Sequence, residues 1–373
     1  VATALPAWKR AVVKVGSNLI APEGRELSTR HLLGIARFIA ESRAAGLELV
    51  LVSSGAVAAG RAILKQAADQ RSLIAKQALA AAGQPRVIET WSRLVDFPCA
   101  QVLLAYDDLQ NRRRFVNAKN TLRELLALGT LPIVNENDSV AVEELRLGDN
   151  DNLAAHVAVL VDADLLVILS DVDGLYDRDP RTHADARLIE RVETIDEIVF
   201  ARAGGAGSAV GTGGMRTKLE AAQKATARGI TTVIANGRGA EVPDQLGRGV
   251  CPGTLFVATG SALSAKRHWM LHALAASGTV FIDPGAGKAL RDRGASLLPV
   301  GVLDCTDNVR AGDAVHVVVR GSDGGQRALA KGISQYDAAE IKRIAGRASS
   351  ELEALLGYPG AETIVHRDDL VLL

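Results

Sequence analysis

From Ala11 to about Ala262, short runs of Val, Ile and Leu alternate with longer segments whose apolar residues recur at helical spacing. Continuous apolar runs suit strands buried on both faces, and their alternation with helices is the pattern of a mostly parallel sheet covered on both sides. The pattern predicts strands over Ala11–Val15, Leu49–Val52, Val102–Leu104, Leu131–Val134, Leu165–Leu169 and Thr231–Ile234. Helices are expected over Thr29–Ala44 with Ser28 as N-cap, Phe115–Leu128, Leu153–Val161 and Leu219–Arg228. Gly46, Gly129 and Gly229 stand where three of these should stop, as C-terminal caps. After about Ser264 the texture changes to shorter β-type runs, Thr279–Ile282, Ala314–Val319 and Ala328–Ile333, with one amphipathic helix, Ala338–Leu356, and a last strand near the C-terminus. The expected organisation is therefore an α/β domain of three αβα layers over residues 1–262, a linker over 263–275 and a small mostly-β domain over 276–373. No repeat of solenoid length is visible, and Ala203–Gly214 is the one low-complexity stretch.

Composition narrows the function classes. A chain of 373 residues with 48% hydrophobic content can bury a large core. Lys plus Arg and Asp plus Glu both number 43, so no bulk field attracts nucleic acid, anionic membrane or acidic protein, and a charged ligand must be held locally. Cys99, Cys251 and Cys305 are isolated packing residues, in keeping with a reducing cytosol. No apolar run is long enough to span a bilayer and the first residues lack the features of a signal peptide, so a cytoplasmic location is expected.

Ligands of open parallel sheets bind beyond the carboxyl ends of the strands. Five expected strands end in polar clusters there: Lys14-Val15-Gly16-Ser17-Asn18, Ser53-Ser54-Gly55-Ala56, Asn135-Glu136-Asn137-Asp138, Ser170-Asp171 and Asn236-Gly237. One such cluster is an ordinary turn; five together point to a site. Lys14 lies inside an apolar strand, where a buried ammonium is costly unless an anion meets it; the other reading is a side chain that snorkels at a sheet edge. Gly211-Thr212-Gly213-Gly214-Met215-Arg216-Thr217-Lys218 places glycines, hydroxyls and a lysine at the start of a helix. Free N–H groups and the helix dipole there make a phosphate site, although a surface loop with an ordinary N-cap fits the same residues taken alone. Gly148-Asp149-Asn150-Asp151-Asn152 must cap the helix that follows, yet holds more polar groups than a cap needs.

Several common chemistries are absent. There is no GxxxxGK[ST] and no GxGxxG after a strand, which removes the Walker and dinucleotide readings. Seven scattered histidines form no triad or zinc set, Asp171-Val172-Asp173-Gly174 lacks the rest of a calcium loop, and no metal-ligating residues are expected. Arg112-Arg113-Arg114 reads as a solvated helix start.

In order along the chain, Lys14-Val-Gly-Ser, Val52-Ser-Ser-Gly-Ala, Asn135-Glu-Asn-Asp, Gly148-Asp-Asn-Asp-Asn, Ser170-Asp171 and Gly211-Thr-Gly-Gly-Met-x-Thr-Lys218 resemble the amino acid kinase superfamily. Ser296-Leu-Leu-Pro-Val-Gly, Arg343-Ile-Ala-Gly and His366-Arg-Asp-Asp are similar to a C-terminal PUA domain, a small β-barrel. The combination is that of the members that transfer the γ-phosphoryl group of ATP to the side-chain carboxylate of L-glutamate, the first step of proline synthesis. The resemblance implies that Lys14, Lys218 and Asp149 are catalytic, with Asp149 holding the two lysines in position. It implies an ATP site of Lys14, Gly16, Ser170, Asp171 and Thr212 to Lys218, that is Thr212, Gly213, Gly214, Met215, Arg216, Thr217 and Lys218. Ser54, Gly55, Asp138 and Asn150 would bind glutamate. Ser170 stands where many relatives have Thr, and Arg216 fills a variable position. Mg²⁺ with the ATP, feedback inhibition by proline and a homo-oligomer, dimer or tetramer, are further implications, with no membrane partner.

The chemistry agrees with this inventory. A glutamate carboxylate, of ordinary pKa about 4.3, is ionised at neutral pH and needs no general base to attack phosphorus. What the transfer needs is two mutually repelling anions held together and their charge neutralised. Members acting on aspartate, acetylglutamate or a nucleoside monophosphate are the nearest rivals, and the PUA-like tail argues against them. RNA binding by that tail is disfavoured, because residues 271–373 hold 11 Lys plus Arg against 13 Asp plus Glu.

Overall fold

All six expected strands form, and they are neighbours in one eight-stranded sheet. A computed structural model of the chain describes residues 3–22, 24, 26–65, 72–141, 150–202, 214–258, 270, 276–321 and 325–373. It separates into two units, Val1–Leu109 with Ala118–Ala265, and Gln110–Asn117 with Lys266–Leu373. The expected linker, residues 263–275, lies outside the described residues apart from Met270.

Up to residue 265 the chain runs β1 (Arg10–Val15), α1 (Ser17–Ile20), α2 (Leu32–Ala44), β2 (Glu48–Ser53), α3 (Ala56–Leu64), α4 (Leu73–Ser92), β3 (Cys99–Leu104), α5 (Tyr106–Gln110), α6 (Arg112–Ala127) and β4 (Leu131–Glu136). It continues with α7 (Asn150–Leu160), β5 (Leu165–Ser170), β6 (Arg191–Val192), α8 (Glu197–Arg202), α9 (Met215–Thr226), β7 (Thr231–Asn236), α10 (Val242–Gly247) and β8 (Thr254–Phe256). The strand order is β3-β4-β2-β1-β5-β7-β8-β6. The first six strands of that order pair in parallel, and β8 pairs antiparallel to β7. Every residue of β5 is buried, as befits a central strand covered on both faces. From β1 the chain turns toward β2 on one side, whereas from β5 it turns toward β7 on the other. The crevice between β1 and β5 is thus a switch point of the topology, where doubly wound sheets take their ligands.

Gly46, Gly129 and Gly229 have positive φ, 81°, 68° and 76°, as C-terminal caps do. The expected helix starts move. Helix α2 begins at Leu32, because Ser28 accepts the Arg30 N–H within a turn and His31 takes the N-cap position. Helix α6 begins earlier than expected, at Arg112, and α9 begins at Met215, so that Lys218 is helical. Strands β6 and β8 are too short to leave a pattern. Helices α3 and α4 escape the apolar period for another reason: they meet through glycines. A Cβ on Gly60 would lie 1.9 Å from the Leu79 carbonyl oxygen, and one on Gly83 would lie 1.9 Å from that of Ala56.

The second unit holds a sheet ordered β10 (Val302–Cys305), β9 (Gly278–Ile282), β11 (Ala314–Arg320), β12 (Gln326–Ile333) and β13 (Leu370–Leu372). Val280, Ile282, Val315, Val317, Ile341 and Ile344 lie in its own apolar core. The single helix expected over Ala338–Leu356 is broken. Helix Ala338–Ile344 ends where Ala345 turns extended and Gly346 takes φ 73°, and the chain resumes as a 3₁₀ turn and helix Leu352–Leu356. Among the described residues, no helix is long and apolar enough to cross a membrane.

Gly83→Ala forces a methyl group into a main-chain carbonyl, so an overpacking loss of about 1–3 kcal/mol or more is expected, read as a lower urea midpoint. An unchanged midpoint would mean that the helices are not this close.

Candidate active site

Three elements bring one carboxylate and two ammonium groups together. Lys14 stands in β1 between Val13 and Val15, with Val52 of β2 and Ile168 of β5 as its strand neighbours. Asp151 lies in the first turn of α7 and is fully buried. Lys218 lies in the first turn of α9 and is also buried. Lys14 Nζ is 2.5 Å from Asp151 Oδ1, and Lys218 Nζ donates to Asp151 Oδ2 at 3.0 Å. Thr217 Oγ1 is 3.4 Å from the same Oδ2 and donates to the Gly214 carbonyl at 2.9 Å.

Burial alone would push the Asp151 carboxyl upward; the charges and hydrogen bonds of Lys14 and Lys218 outweigh it and hold the group below its ordinary value of 3.8. Asp151 is therefore ionised at neutral pH, and its carboxylate holds two lysine side chains side by side. The cluster sits at the β1/β5 switch point. Two cationic side chains that converge there, one of them in the first turn of a helix, suit an anionic guest.

Glycine and hydroxyl groups surround this cluster. Gly16 caps α1, and its N–H donates to the Leu169 carbonyl at 3.0 Å. A Cβ there would stand 3.2 Å from the Leu169 oxygen and 3.6 Å from Lys14 Nζ, so the missing side chain keeps the approach to that ammonium open. At the end of β5, Ser170 Oγ donates to Asp171 Oδ1 at 3.2 Å, and Asn18 Nδ2 donates to Asp171 Oδ2 at 2.8 Å. Burial pushes the Asp171 carboxyl up, and the hydrogen bonds from Asn18, the main chain and Ser170, with the charge of Arg238, bring it net below the usual range. Gly214 caps α9, and Met215 follows half-buried. Arg216 pairs with Glu220 one turn on, at 3.2 Å; Arg216 is exposed and Glu220 half-buried. Thr212 and Gly213 lie outside the described residues.

On the other side of β1, Asn150 gathers the ends of β2 and β4. Its Nδ2 donates to Ser54 Oγ at 2.8 Å and to Asn135 Oδ1 at 3.0 Å, and lies 3.4 Å from the Ser53 carbonyl. Asn135 Oδ1 also accepts the Glu136 N–H at 2.9 Å. Gly55 takes φ 106° as it caps α3, and a Cβ there would meet Ile20 at 2.9 Å. Asp138 opens the 3₁₀ turn Asp138–Val140 and is half-exposed.

The sequence reading thus placed Lys14 and Lys218 in one cluster and Ser54 with Asn150 in another, and both groupings occur. Asp151 bridges the two lysines; Asp149, of which that role was expected, lies outside the described residues. Asp151 and Asn135 were missed as individual site residues. A signal for Asp151 existed, because it shares the buried face of α7 with Ala154, Ala155 and Ala158, at the i+3, i+4 and i+7 positions.

Two converging lysines and glycine-flanked main chain at the switch point of a doubly wound sheet define a phosphate-handling α/β enzyme. The Amino acid kinase family model matches residues 9–236 and the PUA domain model residues 278–356, and the chain belongs to the amino acid kinase family. It is 55% identical over 371 residues to the glutamate 5-kinase of Salinibacter ruber (strain DSM 13855 / M31), covering 99% of this chain and 98% of that one. It is 54% identical over 363 residues to the glutamate 5-kinase of Xanthomonas campestris pv. campestris (strain 8004), covering 97% and 100%. The carbamate kinase from Giardia lamblia bound to AMP-PNP shares the fold, with a TM-score of 0.50 at 20% identity over 68% of this chain and 99% of that one.

Asp151→Asn leaves two buried ammonium groups without their shared anion, so a loss of about 3–5 kcal/mol is expected in urea unfolding at pH 7. The folded carboxyl titrates below the unfolded one, so its contribution is complete above the ordinary value of 3.8 and disappears as pH falls through the folded value. The gap between wild type and variant should therefore narrow on acidification below that value. A gap that is absent at pH 7, or that widens in acid, would remove Asp151 from this role.

Proposed function

We propose that the protein transfers the γ-phosphoryl group of ATP to the side-chain carboxylate of L-glutamate, giving L-glutamyl 5-phosphate, the first step of proline synthesis. The observation that carries this reading is the convergence of the Lys14 and Lys218 ammonium groups on one Asp151 carboxylate. The two relatives named glutamate 5-kinase, each more than half identical to the chain along nearly its whole length, support the same substrate.

Asp151 holds both ammonium groups at the β1/β5 crevice, where they meet the β- and γ-phosphate oxygens. Gly16, having no side chain, leaves room beside Lys14, and the N–H groups of the first turn of α9 bring main-chain donors to the same phosphates. Ser170 and Asp171 line the nucleotide side, and Thr212 and Gly213 with Gly214 to Lys218 complete it. Ser54, Gly55, Asp138 and Asn150 hold glutamate, Asp138 as the carboxylate that meets its ammonium group. An oxygen of the ionised glutamate side chain forms a bond to Pγ while the bond from Pγ to the β-phosphate oxygen breaks, and ADP leaves. No proton moves in that step, which is why the site needs no histidine.

Mg²⁺ belongs with this chemistry as a partner of the phosphates. Such an ion is bound largely through phosphate oxygens and water. Its contribution when bound is to neutralise charge between the phosphates. Feedback inhibition by proline and assembly into a homo-oligomer are part of the same proposal.

Incubation with ATP, Mg²⁺, hydroxylamine and glutamate should yield the hydroxamate of an acyl phosphate, and aspartate or acetylglutamate should yield far less; equal yields from all three would defeat the assignment. Lys218→Ala is expected to lower kcat at least about a hundredfold, the usual cost of one well-placed electrostatic group, in protein whose circular dichroism is unchanged. Asp138→Asn should act mainly on the KM for glutamate, and an unaltered glutamate titration would move the ammonium site elsewhere.

A further inference from the structure

Helix α4 braces two segments of the proposed acceptor site while contributing no residue to it. Near its C-terminal end, Trp91 is fully buried and donates its indole Nε1–H to Ser53 Oγ at 2.8 Å. Ser53 is itself fully buried, and its hydroxyl donates to the Ser54 carbonyl at 3.2 Å. A hydroxyl has one proton to give, so a donor on its lone pair fixes the rotor and aims that proton at the Ser54 main chain. Near its N-terminal end, Gln77 Nε2 donates to the Ala141 carbonyl at 2.7 Å. Ala141 is the residue that closes the Asp138–Val140 turn. Gln77 and Trp91 lie about four turns apart and so share a face of the helix. Between them, Gly83 rests on the Ala56 carbonyl, directly after Gly55.

We infer that Trp91 and Gln77 are positioning residues for the acceptor amino acid, holding the segments that carry Ser54 and Asp138 at the spacing the substrate requires. The inference rests on the reading that Ser54 and Asp138 face glutamate. Neither side chain has a hydrogen bond to Lys14, Gly16, Asp151, Ser170 or Lys218 among the described residues, so their effect falls on acceptor binding and spares the nucleotide.

The test uses the full chain with Trp91→Phe, Ser53→Ala and Gln77→Leu, and measures kcat and both KM values by hydroxamate formation and ADP release. Each variant is expected to raise the KM for glutamate about fivefold or more while the KM for ATP stays within about twofold, the size of one lost buried hydrogen bond. The pair Trp91→Phe with Ser53→Ala removes the same bond twice, so the double variant should be little worse than the poorer single one. A general packing defect lowers the amount of active enzyme and leaves both KM values in place, and that result overturns the inference. If Trp91→Phe does not fold, the half-buried Gln77 carries the same test. Absence of glutamate hydroxamate from the wild type defeats the functional reading and this inference together; normal wild-type turnover with an unmoved glutamate KM in the variants defeats the inference alone.

Discussion

A carboxylate with no exposure to water, shared by one ammonium group from a strand and one from a helix, governs the arrangement of this molecule's α/β unit. Burying any one of these charges alone would be prohibitive, and burying the lysines as a pair would be worse. Asp151 makes the cluster tolerable. Hydrophobic residues of similar volume would stabilise the fold as well or better, so the cluster is explained by what its two lysines can bind. The cost is met by the flanking structure: β1 and β5 are buried almost throughout, and the apolar residues around Lys14 hold it in place.

The same turn of α7 joins the two halves of the site. Asn150 and Asp151 are adjacent in sequence, and in a helix adjacent side chains point about 100° apart. Asn150 turns toward Ser54 and Asn135, and Asp151 turns toward the lysines. Their α-carbons are separated by roughly 3.8 Å, so one rigid turn fixes the acceptor groups relative to the phosphate groups. Transfer between two bound anions depends on that kind of fixed spacing, because the gain from orientation is lost with small displacements. Lys224 strengthens the joint by donating to Asn152 Oδ1 at 2.6 Å, which ties α9 to α7 a second time.

How much of this was legible in the sequence follows from which interactions are periodic. The six parallel strands declare themselves as continuous apolar runs, and Lys14 stands out because it interrupts one. Lys218 is marked by its place after glycines at a helix start. Asp151 was assigned only as one of several polar residues before a helix; its role depends on which face of α7 meets the sheet, and the alanines at 154, 155 and 158 carry that information. The broken helix after Ala338 was missed because its apolar period continues across Gly346, where the backbone leaves the helix. The packing of α3 on α4 was invisible for the opposite reason: contacts made by Gly60 and Gly83 depend on absent side chains, which leave no hydrophobic mark.

The two sides of the proposed site are built from different materials, and the difference suits the guests proposed for them. The proposed phosphate side relies on full charges and main-chain N–H groups, which recognise any polyphosphate of the right reach. The acceptor side is an array of neutral amide and hydroxyl groups, Ser54, Asn135 and Asn150, with the Asp138 carboxylate nearby in sequence. Neutral hydrogen-bonding groups discriminate by geometry, since a guest that leaves one of them unpaired loses more than a contact. On this proposal, selectivity among small amino acids of similar charge comes from the acceptor side. That side is tightly framed by packing, with Gly55 held at positive φ against Ile20 and α3 so near α4 that a methyl group on Gly60 or Gly83 would strike main-chain atoms. A site that distinguishes substrates by a single methylene needs such a frame, because a neutral array that could shift would fit the wrong guest as readily as the right one.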